Sequence, residues 1–284
     1  MSLVHVSSYT INYSSAVKAK HSQPIAETSN VAHTAEDAAT IERIRSRFTI
    51  LSTMAGAVKD GNISAMIVTG PPGVGKSHGV KEVLFNNNEH STAKYEIVKG
   101  AVSPLGLYAK LYEFREEGNV LVFDDSDSIL FDELSLNILK AALNSNKTRT
   151  ISWNTSSQVL KKDKIPKSFD FAAGIIFITN VQFESVKSKK ILDHIAALES
   201  RCHFIDLQMN SIHDCMLRIK QLSNDGLLNG YHLTNEQKTE VVDFVLDNVD
   251  NLRELSLRTV LKAADLRSNF SSNWKDIAMV TLMK

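Results

Sequence analysis

The chemistry of this chain starts at Gly70-Pro71-Pro72-Gly73-Val74-Gly75-Lys76-Ser77, which fits the pattern G-x-x-x-x-G-K-S/T, with His78 next in line. Glycines let a backbone wrap closely around phosphate oxygens, where a side chain would collide. Loop amides and the N-terminus of a following helix would concentrate positive potential for the anion. Lys76 would reach the β- and γ-phosphates of a nucleoside triphosphate, and Ser77 would bind Mg²⁺. The motif follows an apolar run and opens a helical pattern, which is the context this chemistry needs. Residues 70–78 are therefore the candidate nucleotide-binding segment.

Two further strand ends carry polar groups. Val120-Leu121-Val122-Phe123 runs into Asp124, Asp125, Ser126 and Asp127. A buried strand here would deliver carboxylates beside the phosphate loop of an open α/β sheet. Asp124 would join Ser77 at the Mg²⁺, and Asp125 would orient and polarise an attacking water. The plain alternative is a polar strand end that begins a turn. One carboxylate would suit a switch or a kinase-like protein, whereas two adjacent ones favour hydrolysis by water. Gly174-Ile175-Ile176-Phe177-Ile178-Thr179 leads in the same way to Asn180. Its amide would reach the γ-phosphate or the water, although an isolated Asn at a strand end is more simply a turn residue.

These residues need a scaffold. The chain has 284 residues, 43% hydrophobic and 23% charged, enough for one larger domain or two small ones with a substantial core. Lys plus Arg and Asp plus Glu number 32 each, which excludes a histone-like polycation but not a local basic patch. No apolar run reaches the length of a membrane helix, and the first residues lack the basic-then-apolar pattern of a secretory signal. Cys202 and Cys215 read as two reduced thiols of a cytosolic protein. Residues 1–33 are polar and without periodicity, and are read as a flexible arm. A helix capped by Thr34 follows, with Ile41, Ile44, Phe48 and Leu51 at helical spacing. Apolar runs at 63–69, 95–98, 120–123, 174–179 and 203–207 then alternate with helical patterns at 77–86, 104–116, 133–144 and 188–200. Continuously apolar runs suit strands buried on both faces of a parallel sheet. From 209 to 284 only helical patterns remain, at 211–223, 234–249, 252–268 and 273–282. The reading is a flexible arm (1–33), an α/β domain (34–208) and a small helical domain (209–284).

With these motifs in place, the chain resembles the AAA+ family of P-loop ATPases over about residues 45–270. Lys76 and Ser77 match its Walker A element, Asp124 and Asp125 its Walker B, and Asn180 its sensor 1. Leu198-Glu199-Ser200-Arg201 resembles the segment carrying its arginine finger, and Leu255-Ser256-Leu257-Arg258 its sensor 2. The resemblance implies a five-stranded parallel sheet flanked by helices, a helical lid, ATP with Mg²⁺, and a ring, commonly of six subunits. It assigns Arg201 to a neighbour's γ-phosphate and Arg258 to coupling the lid to that phosphate. The plainer alternatives are that Arg201 is a surface partner of Glu199 and Arg258 an exposed helical charge. The family usually has Asp-Glu where this chain has Asp124-Asp125. The shorter carboxylate implies slow hydrolysis, with Asp127 as a second candidate for the same role. The segments 149–153 and 165–169, followed by the Gly174–Asn180 run, are also similar to bacteriophage-encoded members.

Residues 140–167 hold Lys140, Lys147, Arg149, Lys161, Lys162, Lys164 and Lys167 against the single acid Asp163. In the resembling family this segment often faces the central pore; multiplied in a ring, its charge would grip a phosphate backbone, and Trp153 would stack on a base. A solvated loop over a packed Trp is the alternative. Gly100–Gly106 is the other candidate pore loop, and it lacks the aromatic-apolar-Gly triplet that many protein unfoldases place there. The expected function is therefore ATP hydrolysis in a ring coupled to DNA handling, as a loader, translocase or replication and recombination accessory. The alternative is a protein remodeller or ATP-gated adaptor whose partner binds the arm at 1–33. A small-molecule kinase fits the paired carboxylates poorly.

Overall fold

The computed structural model describes residues 35–85, 93–144, 146, 148–183, 186–270 and 272–284. The arm at 1–33, Thr34 and Lys147 lie outside the described residues. The chain divides into two compact units, Arg43–Asn210 and a second formed by 35–42 with Ser211–Lys284.

The first unit is built on five parallel strands. Helix α1 (Ala35–Lys59), most of which belongs here, leads to β1 (Ala65–Thr69), α2 (Lys76–Phe85), β2 (Tyr95–Lys99), α3 (Pro104–Glu113) and β3 (Val120–Asp124). Next come α4 (Ser128–Phe131), α5 (Glu133–Ala142), β4 (Arg149–Ser152), α6 (Gln158–Lys162), β5 (Ser168–Phe171) and β6 (Gly174–Ile178). Helix α7 (Lys189–Glu199) and β7 (His203–Asp206) complete the unit. The sheet order is β2-β3-β6-β1-β7, and every pairing is parallel.

The three inner strands are buried along their whole length, which is why their sequences are continuously apolar. Successive side chains still point to opposite faces. Ile67, Leu121, Phe123, Ile175 and Phe177 face a core completed by Leu107 and Leu111 of α3, Leu136 and Leu139 of α5, and Leu198 of α7. Met66, Val68, Val120, Val122 and Ile176 face the other way, against Leu51, Ala55 and Val58 of α1 and Val80 and Leu84 of α2. Phe123 and Phe177 stack on neighbouring strands with ring centroids 5.6 Å apart.

The basic segment is neither wholly a loop nor wholly exposed. Strands β4 and β5 make an antiparallel hairpin, with Arg149 opposite Phe171 and Ser152 opposite Ser168. Alternate residues are buried, so the hairpin lays one face on the core. Arg149 is one of those buried residues. Its guanidinium donates to the carbonyls of Phe171 (3.2 Å) and Ala173 (2.7 Å) and lies over the Phe171 ring. Burial lowers its pKa from the usual arginine range. Trp153 packs against the same core, its ring 5.6 Å from that of Tyr108. The structure therefore removes Arg149 from the basic surface, and the Trp153 ring is packed under the segment rather than offered to a base. The second candidate pore loop is also shorter than read, because Pro104, Leu105 and Gly106 form the first turn of α3, capped by Ser103.

The second unit contains α8 (Ile212–Asn224), α9 (Asn235–Asp247), α10 (Leu257–Asn269) and α11 (Trp274–Leu282). Ser211, Thr234 and Ser256 cap the first three through side-chain acceptors, and Thr234 forms a capping box with Gln237. The cap at Ser256 makes α10 begin later than the helical pattern at 252. Leu252 instead pairs with Met283 in a short bridge. Val241, Val245, Val260, Ala263 and Trp274 centre the core of this unit, with Trp274 edge-on to Phe244 at 5.0 Å. Among the described residues no helix is long and apolar enough to cross a membrane.

Candidate functional site

All five strands of the sheet end on one edge, because they are parallel. The chain leaves β1 for the far edge of the sheet and returns through β3 to β6, which lies between β3 and β1. The segments after β1, β3 and β6 therefore open side by side, and this is where open α/β sheets bind ligands. These are the segments carrying the phosphate loop, the paired aspartates and Asn180.

The loop between β1 and α2 depends on its glycines. Gly70, Gly73 and Gly75 all have positive φ, at 142°, 68° and 103°. A Cβ at Gly70 would stand 3.0 Å from the Leu207 carbonyl oxygen. The loop delivers Lys76 to the first turn of α2, where its side chain is buried (5% exposed). The Lys76 ammonium donates to the carbonyls of Gly70 (2.7 Å) and Pro71 (2.8 Å) and to Asn180 Oδ1 (2.6 Å). Three acceptors match the three donors of an ammonium.

Ser77 Oγ donates to Asp124 Oδ1 at 2.8 Å. Asp124 is 1% exposed, and its Oδ2 accepts no hydrogen bond among the described residues. The Lys99 ammonium stands 2.7 Å from that oxygen, close enough for an ion pair but outside hydrogen-bond alignment. A hydroxyl and a buried carboxylate with an oxygen left without a donor are the hard oxygen ligands that suit Mg²⁺, which keeps most of its waters.

Asp125 is exposed and holds a left-handed backbone conformation, with φ at 53°. Asp and Asn tolerate this region better than other non-glycine residues. Its amide donates to the Ile178 carbonyl, and Asn180 Nδ2 donates to its Oδ1 at 2.8 Å. Asn180 thus links Lys76 to Asp125 through the two ends of one amide. Asp127 turns to a different partner, accepting from Thr179 Oγ1 at 2.6 Å. Burial pushes its carboxyl above the usual range, with the Thr179 hydrogen bond pulling the other way.

The structure brings together Lys76, Ser77, Asp124, Asp125 and Asn180. His78 is exposed on α2, with Nε2 3.9 Å from Glu82. Arg201 is exposed just after α7, and its guanidinium donates to the Ala197 carbonyl (2.5 Å) and to Ser200 Oγ (3.4 Å). Beside it, burial pushes the Cys202 thiol up to about 12, against the pull of the Arg201 charge. Arg258 is exposed in the first turn of α10, in the helical unit. Sequence reading missed Lys99 and Thr179. The signal for Lys99 was its place one residue beyond the apolar run at 95–98, which puts it in register with Asp124.

Comparison with known proteins gives a clear relative. The chain is 34% identical over 240 residues to an uncharacterized 36.7 kDa protein from the nrdC-mobD intergenic region of Enterobacteria phage T4, covering 83% of this chain and 73% of that one. No family model matches it. Among solved structures, it resembles a RuvB point mutant from Thermotoga maritima at 13% identity and a TM-score of 0.47, covering 84% of this chain and 68% of the other. Domain III of the replication initiation protein DnaA from Thermotoga maritima gives 13% identity and a TM-score of 0.48, covering 83% and 92%. Drosophila ORC bound to DNA gives 11% and 0.45, covering 84% and 66%.

Proposed function

The chain belongs to one family with the uncharacterized phage T4 protein, and we propose that it is an AAA+ P-loop ATPase that hydrolyses ATP to ADP and phosphate in a ring oligomer and couples that cycle to DNA handling. The observation that carries the ATPase reading is the pair of hydrogen-bonded links Ser77–Asp124 and Lys76–Asn180–Asp125, which join residues from three separate strand ends.

In this reading residues 70–78 wrap the phosphates, and the N-terminus of α2 favours their charge. Lys76 exchanges one or more of its neutral acceptors for anionic phosphate oxygens, so that both partners of the bond are charged. Ser77 and Asp124 would hold Mg²⁺, which when bound neutralises phosphate charge. Asp125 orients and polarises the attacking water. Asn180 holds that carboxylate and the Lys76 ammonium at a fixed separation, so the base and the phosphate-binding cation are placed as one unit. Arg258 is the residue of the helical unit assigned to sensing the γ-phosphate.

Arg201 acts on the nucleotide of a neighbouring subunit, and its exposure leaves it available to do so. Arg201→Ala is expected to keep ATP binding and lose about 10³-fold in turnover. Mixing it with Lys76→Ala subunits, which have intact Arg201 but a dead site of their own, should restore part of the activity. If mixing never restores turnover, the between-subunit assignment is wrong.

The DNA reading rests on Lys161, Lys162, Lys164 and Lys167, all exposed along the connection between β4 and β5. ATP turnover should rise with single- or double-stranded DNA, and the stimulation should weaken as salt is raised. Each lysine that contacts a phosphate contributes about 0.7–0.9 to the slope of log affinity against log salt. Replacing the four lysines with glutamine should flatten that slope. Turnover indifferent to either form of DNA would instead favour remodelling of a protein partner.

A further inference from the structure

Lys99 belongs to neither the phosphate loop nor the paired aspartates, yet its ammonium reaches the most buried carboxylate of the site. It ends β2, an edge strand, in register with Asp124 at the end of β3. Its side chain is 63% exposed, whereas that of Asp124 is 1% exposed. The ammonium stands 2.7 Å from Asp124 Oδ2 but is not aligned as a hydrogen-bond donor, so it serves that oxygen as a charge. The other carboxylate oxygen is taken by Ser77 Oγ. The remaining side of Asp124 is therefore the side on which a cation completes the site.

The geometry points to Lys99 as a tethered cation that takes the metal's side of Asp124 between nucleotides and yields it when Mg·ATP arrives. This inference rests on the reading that Ser77 and Asp124 hold the metal. A buried carboxylate without a counter-charge is costly, and a long lysine stem at a sheet edge supplies that charge and then swings back to solvent. The consequence is selective loading. A free divalent ion must compete with a cation already attached to the chain, whereas a metal carried on a triphosphate brings phosphate contacts at residues 70–77 that offset the loss. The site then fills with metal and nucleotide together.

The test uses Mn²⁺ alone as the probe, with the nucleotide-free full chain, and reads free Mn²⁺ by electron paramagnetic resonance. Lys99→Met and Lys99→Gln both remove the charge, so agreement between them excludes a packing artefact of either. Each should bind Mn²⁺ about twofold to fivefold more tightly than the parent protein. Lys99→Arg should match the parent, and adding Asp124→Asn to Lys99→Met should abolish the gain. Unchanged or weaker Mn²⁺ binding in both neutral variants overturns the role of Lys99, as does a gain that survives Asp124→Asn. Mg·ATP binding by the parent protein, measured alongside, separates the two levels. If the parent binds Mg·ATP while Lys99 has no effect on Mn²⁺, only this inference falls; if the parent does not bind Mg·ATP, the reading of the site falls.

Discussion

Lys76→Ala will weaken Mg·ATP binding by at least about 100-fold. Hydrogen bonds to charged groups are worth about 1.5–3 kcal/mol each, and two such bonds to phosphate oxygens exceed two decades of affinity. The local structure adds to the loss. Lys76 holds the loop onto itself through the Gly70 and Pro71 carbonyls and holds Asn180 through its Oδ1. Alanine removes the donor from all three, so the loop loses shape as well as charge. The core is untouched, since Val80 and Leu84 carry the packing of α2. Thermal unfolding should therefore show a folded protein, while equilibrium dialysis against labelled nucleotide shows the loss. Affinity within tenfold of the parent would place the phosphates elsewhere.

Asp125→Asn should leave nucleotide affinity within about threefold and lower kcat by about 10²–10⁴. The substitution isolates charge from shape. Asn occupies the left-handed region as readily as Asp, so the φ of 53° imposes no new strain. Its carbonyl oxygen still accepts from Asn180 Nδ2 at the position Asp125 Oδ1 occupies. Only the negative charge that polarises the water is lost. Single-turnover measurements with bound ATP would show a slow chemical step with binding intact. An unchanged rate would move the role to another carboxylate. Asp127 is a poor substitute, because Thr179 holds it and burial favours its neutral form.

The inner strands were legible in the sequence because burial on both faces leaves an unbroken apolar run, as in Ala65 to Val68 of β1 and in Gly174–Ile178. The helices of the second unit were legible from their helical periodicity, although the cap at Ser256 sets the start of α10 later than that periodicity suggests. The hairpin β4–β5 was hidden for a physical reason. Its strands have four residues each, alternate buried with exposed positions, and are separated by a lysine-rich connection, so charge dominates any local pattern. Arg149 shows the same effect, because a sequence gives its charge but not the carbonyls that take it inside. The candidate residues Lys76, Ser77, Asp124, Asp125 and Asn180 were chosen from motifs at strand ends, and the structure places them together. Their hydrogen-bonded order was not legible, because it depends on β6 lying between β1 and β3. Lys99 was missed because a lysine at the end of an edge strand is unremarkable until register sets it opposite Asp124.

The central claim is that a triphosphate binds around Lys76 with its metal held by Ser77 and Asp124. Calorimetric titration of the purified, folded chain with a slowly hydrolysed ATP analogue, with Mg²⁺ and then with a chelator, tests it most directly. The account predicts saturable binding to a single site per chain that weakens sharply when the metal is removed. A folded chain that takes up no nucleotide in the presence of Mg²⁺ would contradict it.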